Sequence, residues 1–456
     1  MPGGPEPWSG QSSTNGSASG PEADGWLLAG SHETTSSPDD AQLYGYWRGT
    51  RWPLFKLTLW TGFLTILTLG FYRFWARTRV RRWYWSAIRP GGFPLEYTGT
   101  PYEKLLGFLI AVVILAFYIG VINLVLMFVS FSVLAAPGAA YVLTLLGVAP
   151  LWFFAVYRAQ RYLLARTRWM GIRFGLEPGA WGYAMRACWH WSLTLLTLGM
   201  WHPRLRWALA KYRHDRTFYG TQRMAQGGGP AMLYPAFVHV IIGGVLTAGT
   251  VLIAGQDVGN FFAALETEDF TGLEEVTPFW RMFFLSVPWL IYGLIHYGVE
   301  GRRRLIGALS VGGVALDPQP RVGKILWIAV SGNFLRYFGT VAWIILAALV
   351  LVLSAMAAGL GVETFAEEDV LLILERAFNA APEWLPIALT ALFYFLIFLF
   401  WNVLTHVFLT MPEWRHYAET MGLKGSGHLH DIGQRARDES REAGGFAEAL
   451  DVGAAI

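Results

Sequence analysis

The sequence predicts an all-α polytopic membrane protein made of three repeated modules, each an in-plane amphipathic helix plus a transmembrane helical hairpin, with short cytosolic β-hairpins. Three observations carry this expectation. Hydrophobic residues make up 54% of the 456 and charged residues only 15%, whereas an average soluble domain is about 25% charged. Six apolar stretches reach the roughly 20 residues that a helix needs to cross a hydrocarbon core. The segments between them alternate between acidic and arginine-rich, the pattern that orients membrane helices.

The chain opens on a Gly/Ser/Pro-rich segment, residues 1–42, with six acidic and no basic residues. Lacking a basic start and an apolar run, it reads as a disordered acidic tail rather than a signal peptide. Module 1, residues 43–175, carries the expected spans Leu105–Leu134 and Ala139–Tyr157, joined by an Ala135-Ala136-Pro137-Gly138 turn. Module 2, residues 176–316, carries Ala231–Ala254 and Phe279–Val299, and module 3, residues 317–420, carries Tyr337–Leu360 and Leu385–Thr410. Residues 421–456 read as a flexible tail. The single cysteine, Cys188, excludes intrachain disulfides and thiolate metal clusters.

Charge orients these spans. Gly255–Pro278 has six acidic residues and no Lys or Arg, and Gly361–Trp384 has six acidic residues and one Arg. The opposite ends are basic, with six Arg between Arg73 and Arg89, five between Arg158 and Arg173, and the run Arg302-Arg303-Arg304. Loops rich in Lys and Arg are retained in the cytoplasm, so both termini are expected to be cytoplasmic. Two further apolar stretches, Pro53–Trp75 and Trp181–His202, have basic residues on both flanks. A single crossing cannot begin and end on one side, so both are expected to lie in the interface or re-enter; the alternative, that both cross, gives eight spans.

Two passages echo each other: Gly62-Phe-Leu-Thr-Ile-Leu-Thr-Leu-Gly70 and Trp191-Ser-Leu-Thr-Leu-Leu-Thr-Leu-Gly199. A second recurring element joins a basic-aromatic helix end to glycine and an alternating strand, as in Arg161-Tyr162 leading to Gly171-Ile-Arg-Phe-Gly175, which reads as a β-hairpin. These repeats resemble the YjgN-type bacterial inner-membrane proteins, a family without an assigned function. The resemblance rests on Leu67-Thr68-Leu69-Gly70-Phe71-Tyr72-Arg73-Phe74-Trp75-Ala76, on Arg81-Arg82-Trp83-Tyr84 downstream, and on Tyr97-Thr98-Gly99-Thr100. It covers residues 43–420, with a departure at Met200-Trp201-His202-Pro203 in the second copy. It implies a membrane location and brings no catalytic residues.

No phosphate loop, nucleophile elbow or paired catalytic carboxylates appear, so the expectation is a non-enzyme without cofactor or metal. His428-x-His430-Asp431 has ligand types but no further ligands nearby in sequence. Without a basic soluble domain, nucleic acid is not an expected partner. Inside the spans the polar candidates are Asn123, His239 and Asn402, with His296 and His406 near the inner ends; Arg336 is expected at the inner interface, where it pairs or snorkels. The arginines Arg77, Arg79, Arg81, Arg82, Arg161, Arg166, Arg168, Arg302, Arg303 and Arg304 are the candidates for anionic headgroups, an attraction of about 1 kcal/mol per surface charge. The functional expectation is a protein that binds or moves an anionic amphiphile at the cytoplasmic leaflet. The alternatives are a small-solute transporter or channel using the polar candidates, or a scaffold recruiting a cytosolic partner.

Overall fold

In the computed structural model, which describes residues 41–132, 139–253, 259, 262–263, 265–266, 277–357 and 384–435, helical pairs alternate with pairs of short strands. The order begins β1 (Gln42–Trp47), α1 (Arg51–Leu67), α2 (Arg73–Ala87), β2 (Ile88–Pro90), β3 (Leu95–Tyr97), α3 (Pro101–Ser132), α4 (Ala139–Ala165), β4 (Thr167–Trp169) and β5 (Ile172–Leu176). It continues α5 (Ala180–Leu196), α6 (His202–His214), β6 (Thr217–Tyr219), β7 (Gln222–Gln226), a 3-10 turn (Pro230–Leu233), α7 (Tyr234–Ile253), α8 (Thr277–Gly307), β8 (Leu309–Val311) and β9 (Val314–Pro318). Last come α9 (Val322–Ala357), α10 (Trp384–Thr405), a π-helical segment (His406–Thr410), α11 (Met411–Glu419), β10 (Met421–Lys424) and a 3-10 turn (Ser426–Asp431).

All ten strands join one antiparallel sheet in the order β2-β1-β10-β9-β8-β7-β6-β5-β4-β3. Its two end strands, β2 and β3, are consecutive in the chain and linked through Gly91 and Gly92, both at positive φ, so the sheet curls into a near-closed ring. This corrects the expected all-α class with isolated hairpins. A short hairpin leaves two edges of unpaired N–H and C=O groups, and pairing hairpin to hairpin around a ring removes those edges. The expected three modules also give way, among the described residues, to five helical pairs, α1–α2, α3–α4, α5–α6, α7–α8 and α9–α10, which hang from the sheet.

The stretches Pro53–Trp75 and Trp181–His202 each hold a helix, a reversal and the start of a second helix. The two reversals share one geometry. Gly70 N–H donates to Thr65 O and Gly199 N–H to Thr194 O, both at 2.7 Å, while Leu69 N–H reaches Ile66 O and Leu198 N–H reaches Leu195 O. This six-to-one bond over a nested inner bond is a Schellman helix end. The Thr68 hydroxyl then accepts the Tyr72 N–H at 2.9 Å, and that of Thr197 the Trp201 N–H at 3.0 Å. The Leu-Thr-Leu-Gly echo is therefore a C-terminal cap.

Four helices among the described residues are long and apolar enough to cross a membrane: Pro230–Leu252, Met282–Gly307, Val322–Val350 and Thr390–Glu419. They fit a membrane protein and overlap the last four expected spans, the third sharing only residues 337–350 with Tyr337–Leu360. The helices carrying the first two, α3 and α4, are not among them; α3 contributes the shorter apolar helix Gly120–Ser132. The expected 135–138 turn, most of the two acidic loops, residues 1–40 of the N-terminal tail and residues 436–456 lie outside the described residues.

The inside of the ring is apolar. Trp169, Tyr219, Val311, Val314, Leu423 and Ile432 are buried together, with Leu43, Leu95, Ile172, Phe174, Met224 and Leu429 packed around them. The last described segment covers the hairpin-turn end. Ser426 N–H donates to Ala41 O at 3.0 Å, Thr221 N–H to Gly433 O at 2.9 Å, and Arg173 N–H to the Gln434 side-chain oxygen at 3.0 Å.

Candidate functional site

Where the helices meet the sheet, arginines and aromatic rings interleave. Successive helical residues are about 100° apart, so neighbouring arginines on α2 meet different fates. Arg81 is 2% exposed, its guanidinium 5.4 Å from the Tyr97 ring and 5.7 Å from that of Trp85. Arg82 is exposed and donates to Gly99 O at 3.0 Å. Arg79 faces Tyr72 at 5.7 Å, and Arg77 sits close enough to Lys104 to act on its charge.

The next cluster is also internally paired. Tyr162 donates to Glu103 Oε2 at 2.8 Å, Arg166 meets the same oxygen at 3.0 Å, and Arg161 donates to Leu176 O at 3.1 Å. Arg168 lies on β4 opposite Glu96, its Nε buried without a hydrogen-bond partner. In the third cluster Arg302 reaches Glu413 and the Tyr417 hydroxyl, each at 3.2 Å. Arg303 and Arg304 share Glu300 at 3.4 and 2.9 Å, and Arg304 also donates to Met232 O at 2.6 Å. Most of the sequence-selected arginines are therefore engaged by neighbouring groups of the protein, and Arg81 and Arg161 tie helices to the sheet. Among those with a half-free or free face, Arg79, Arg82, Arg302 and Arg303 are exposed.

The intramembrane candidates lie on three different helical pairs and engage neighbours there. Asn123 accepts the Thr144 hydroxyl at 3.2 Å, between α3 and α4. The His239 ring lies 4.7 Å from His296 and 5.3 Å from Tyr292, and its buried Nδ1 has no hydrogen-bond partner. Asn402 is exposed on α10; beside it, Trp401 stacks under the Arg336 guanidinium at 3.9 Å, and Arg336 donates to Asn333 Oδ1 at 2.6 Å. His406 opens the π-helical segment with Nδ1 3.3 Å from the Tyr84 hydroxyl. Among the described residues no three His, Cys, Asp or Glu side chains are grouped to hold a metal ion.

A groove of about 870 Å³ lies between β1, β9, β10 and the start of α9, lined among others by Tyr44, Asp317, Arg321, Lys324, Trp327 and His416. Lys424 pairs with Asp317 at 2.7 Å and, by that hydrogen bond, holds its carboxyl below the ordinary carboxylate range. His416 Nε2 accepts the Arg321 backbone N–H at 2.9 Å. Reading for arginine density passes over Arg321 and Lys324. The signal that finds them is a pair of cations a turn apart with a tryptophan three residues later, at the start of a helix long and apolar enough to cross a membrane.

A family model described as a bacterial protein of unknown function (DUF898) matches residues 45–340. The chain belongs to this family. The YjgN-type proteins that its repeats resemble are that family. No curated protein and no solved structure matches the chain. The DUF898 match runs from β1 into α9, so it includes both short helical hairpins and the Arg321–Trp327 wall of the groove, and ends before the helices leading to β10.

Proposed function

We propose that this DUF898 protein is a non-enzymatic, multi-pass protein of the bacterial cytoplasmic membrane that wedges into the inner leaflet and gathers anionic lipid headgroups there. One observation carries the reading. Leu69 and Leu198 occupy the left-handed backbone region, at φ 51° and 48°, and are 88% and 96% exposed. An L-residue with a Cβ costs about 1–2 kcal/mol there, and glycine is the usual occupant of that cap position. A strained, fully exposed leucine is unfavourable in water twice over, and at both hairpin tips the cost is offset once the side chain enters hydrocarbon.

The rest of each hairpin supports this. The α1 and α5 helices are apolar, with Trp60 and Trp189 exposed, whereas their return helices α2 and α6 carry arginines along their length. An apolar helix beside a basic one suits the boundary between acyl chains and headgroups. The pairing of β1 with β10 in one sheet supports the two ends of residues 42–424 lying on the same side of the membrane. The apolar packing within the ring disfavours a conduit through it.

The test places a polarity-sensitive fluorophore on a cysteine at position 69 or 198, with Cys188 replaced by Ser, in nanodiscs of mixed phosphatidylglycerol and phosphatidylcholine. The expected result is quenching by acyl-chain spin labels, stronger when the label is on phosphatidylglycerol. Quenching by aqueous iodide instead sinks the wedge, and equal quenching by both lipids sinks the headgroup preference.

A further inference from the structure

The groove beside β1, β9 and β10 divides its charges into two groups. Lys424 and Asp317 neutralise each other, as do Arg415 and Glu419 at 2.8 Å. Arg321 and Lys324 are left over. Both are exposed, they stand one helical turn apart at the start of α9, and among the described residues neither side chain has an ion pair or hydrogen bond. Like charges at this spacing repel, so an anion between them relieves the repulsion and is attracted by both. A volume of about 870 Å³ falls within the usual range for small-molecule sites.

The groove also has an apolar exit. Trp327 follows Lys324 by three residues and is 64% exposed. From it, Val330, Phe334 and Phe338 continue at helical spacing along α9, each more than half exposed, on the helix that contains the candidate span Val322–Val350. A charged pocket thus opens onto an apolar stripe that runs into the membrane.

We propose that this groove holds one phospholipid with an anionic headgroup. The phosphate lies between Arg321 and Lys324, and an acyl chain follows the row from Trp327 to Phe338. A free phosphate would answer the two cations but leave the stripe unused, so charge complementarity together with the continuing apolar row favours a lipid. This inference rests on the headgroup reading above and deepens it, giving that reading a defined site away from the hairpin tips.

The test uses the full chain in detergent, titrated with phosphatidylglycerol or phosphatidylcholine and read by native mass spectrometry. Wild type is expected to retain phosphatidylglycerol preferentially. The double variant Arg321→Gln/Lys324→Gln loses about 30-fold of that preference, the value of two surface charges, while Arg321→Lys keeps it. Both positions are exposed, and an unchanged melting curve verifies that the variants fold. Trp327→Ala weakens phosphatidylglycerol retention without altering the direct binding of soluble glycerol phosphate. An unchanged preference in the double variant overturns the groove but leaves the hairpin reading standing. A wild type with no preference overturns both. Displacement by glycerol phosphate as effective as by the lipid, with Trp327→Ala silent, makes the groove a free-anion site and overturns the lipid assignment.

Discussion

At the scale of single residues, Lys104 is a cation whose chemistry the fold alters strongly. It is 1% exposed at the sheet end of α3, its ammonium 5.0 Å from the Tyr97 ring. Burial, reinforced by the guanidinium groups of Arg81, Arg77 and Arg82, pushes its pKa down to about 6, whereas a solvated lysine titrates near about 10.4. Between those values the unfolded chain binds a proton that the folded chain lacks. Stability therefore climbs as pH rises through this window, by up to about 1.4 kcal/mol per unit, and levels off below the folded value. Lys104→Met, which keeps the shape and removes the titration, should flatten this slope in thermal unfolding followed across neutral to alkaline pH; an unchanged slope shows that Lys104 stays charged in the fold. None of this was legible in the sequence, where Lys104 is one cation flanking an apolar run. The same holds for Arg81 and Arg82, adjacent in sequence but buried and exposed in the structure, because the rings that cover Arg81 include Tyr97 from a different element. Sequence density identified where arginines gather. It did not reveal which are consumed by Glu103, Glu413 and the Leu176 carbonyl, since those partners come from other helices and strands.

At the scale of elements, long apolar helices were the most legible feature, because apolarity over 20 or so residues is a local property. The short hairpins were half legible. Their Leu-Thr-Leu-Gly echo and shared basic flanks marked the two stretches as alike, but the reversal was hidden because leucine stands where a glycine would announce a helix end. The pair α7–α8 yields a prediction from its glycines. A Cβ at Gly293 would lie 2.7 Å from the His239 carbonyl carbon and oxygen, and one at Gly243 would lie 2.6 Å from Leu290 Cα. Both obstacles are backbone, which cannot rotate aside, so the helices themselves must part. Gly293→Ala and Gly243→Ala should each destabilise the protein by about 1–3 kcal/mol, the usual cost of overpacking. Gly244, the next residue, faces open space, and Gly244→Ala should be neutral. Thermal unfolding in one detergent separates the three, and equal melting of the Gly243 and Gly244 variants refutes close packing.

At the scale of the whole chain, what escaped the sequence was the joining of hairpins. Each hairpin advertises its own turn, but the ladders between hairpins, above all β1 on β10 with Leu43 opposite Leu423, bring together residues from opposite ends of the chain, and three-residue strands carry too little pattern to name a partner. The same ladders hold the two flanks of the α5–α6 hairpin together, since Leu176 pairs with Thr217 across it. Ring closure also recasts the C-terminal segment. Residues 421–456 read as a flexible tail, yet within them Ile432 is 4% exposed inside the ring's core, and the chain beside it receives the Thr221 N–H. If the segment is a working part of that core, shortening Ile432 must cost what a buried side chain costs. Ile432→Val should lose about 1 kcal/mol and Ile432→Ala about 2–5 kcal/mol, and in the Ala variant the amides of Thr221 and Arg173 should exchange faster, because the carbonyl of Gly433 and the side chain of Gln434 no longer stay docked on them. Wild-type stability and exchange in Ile432→Ala would show that the ring holds together without its last segment, and that the apolar core ends at β10.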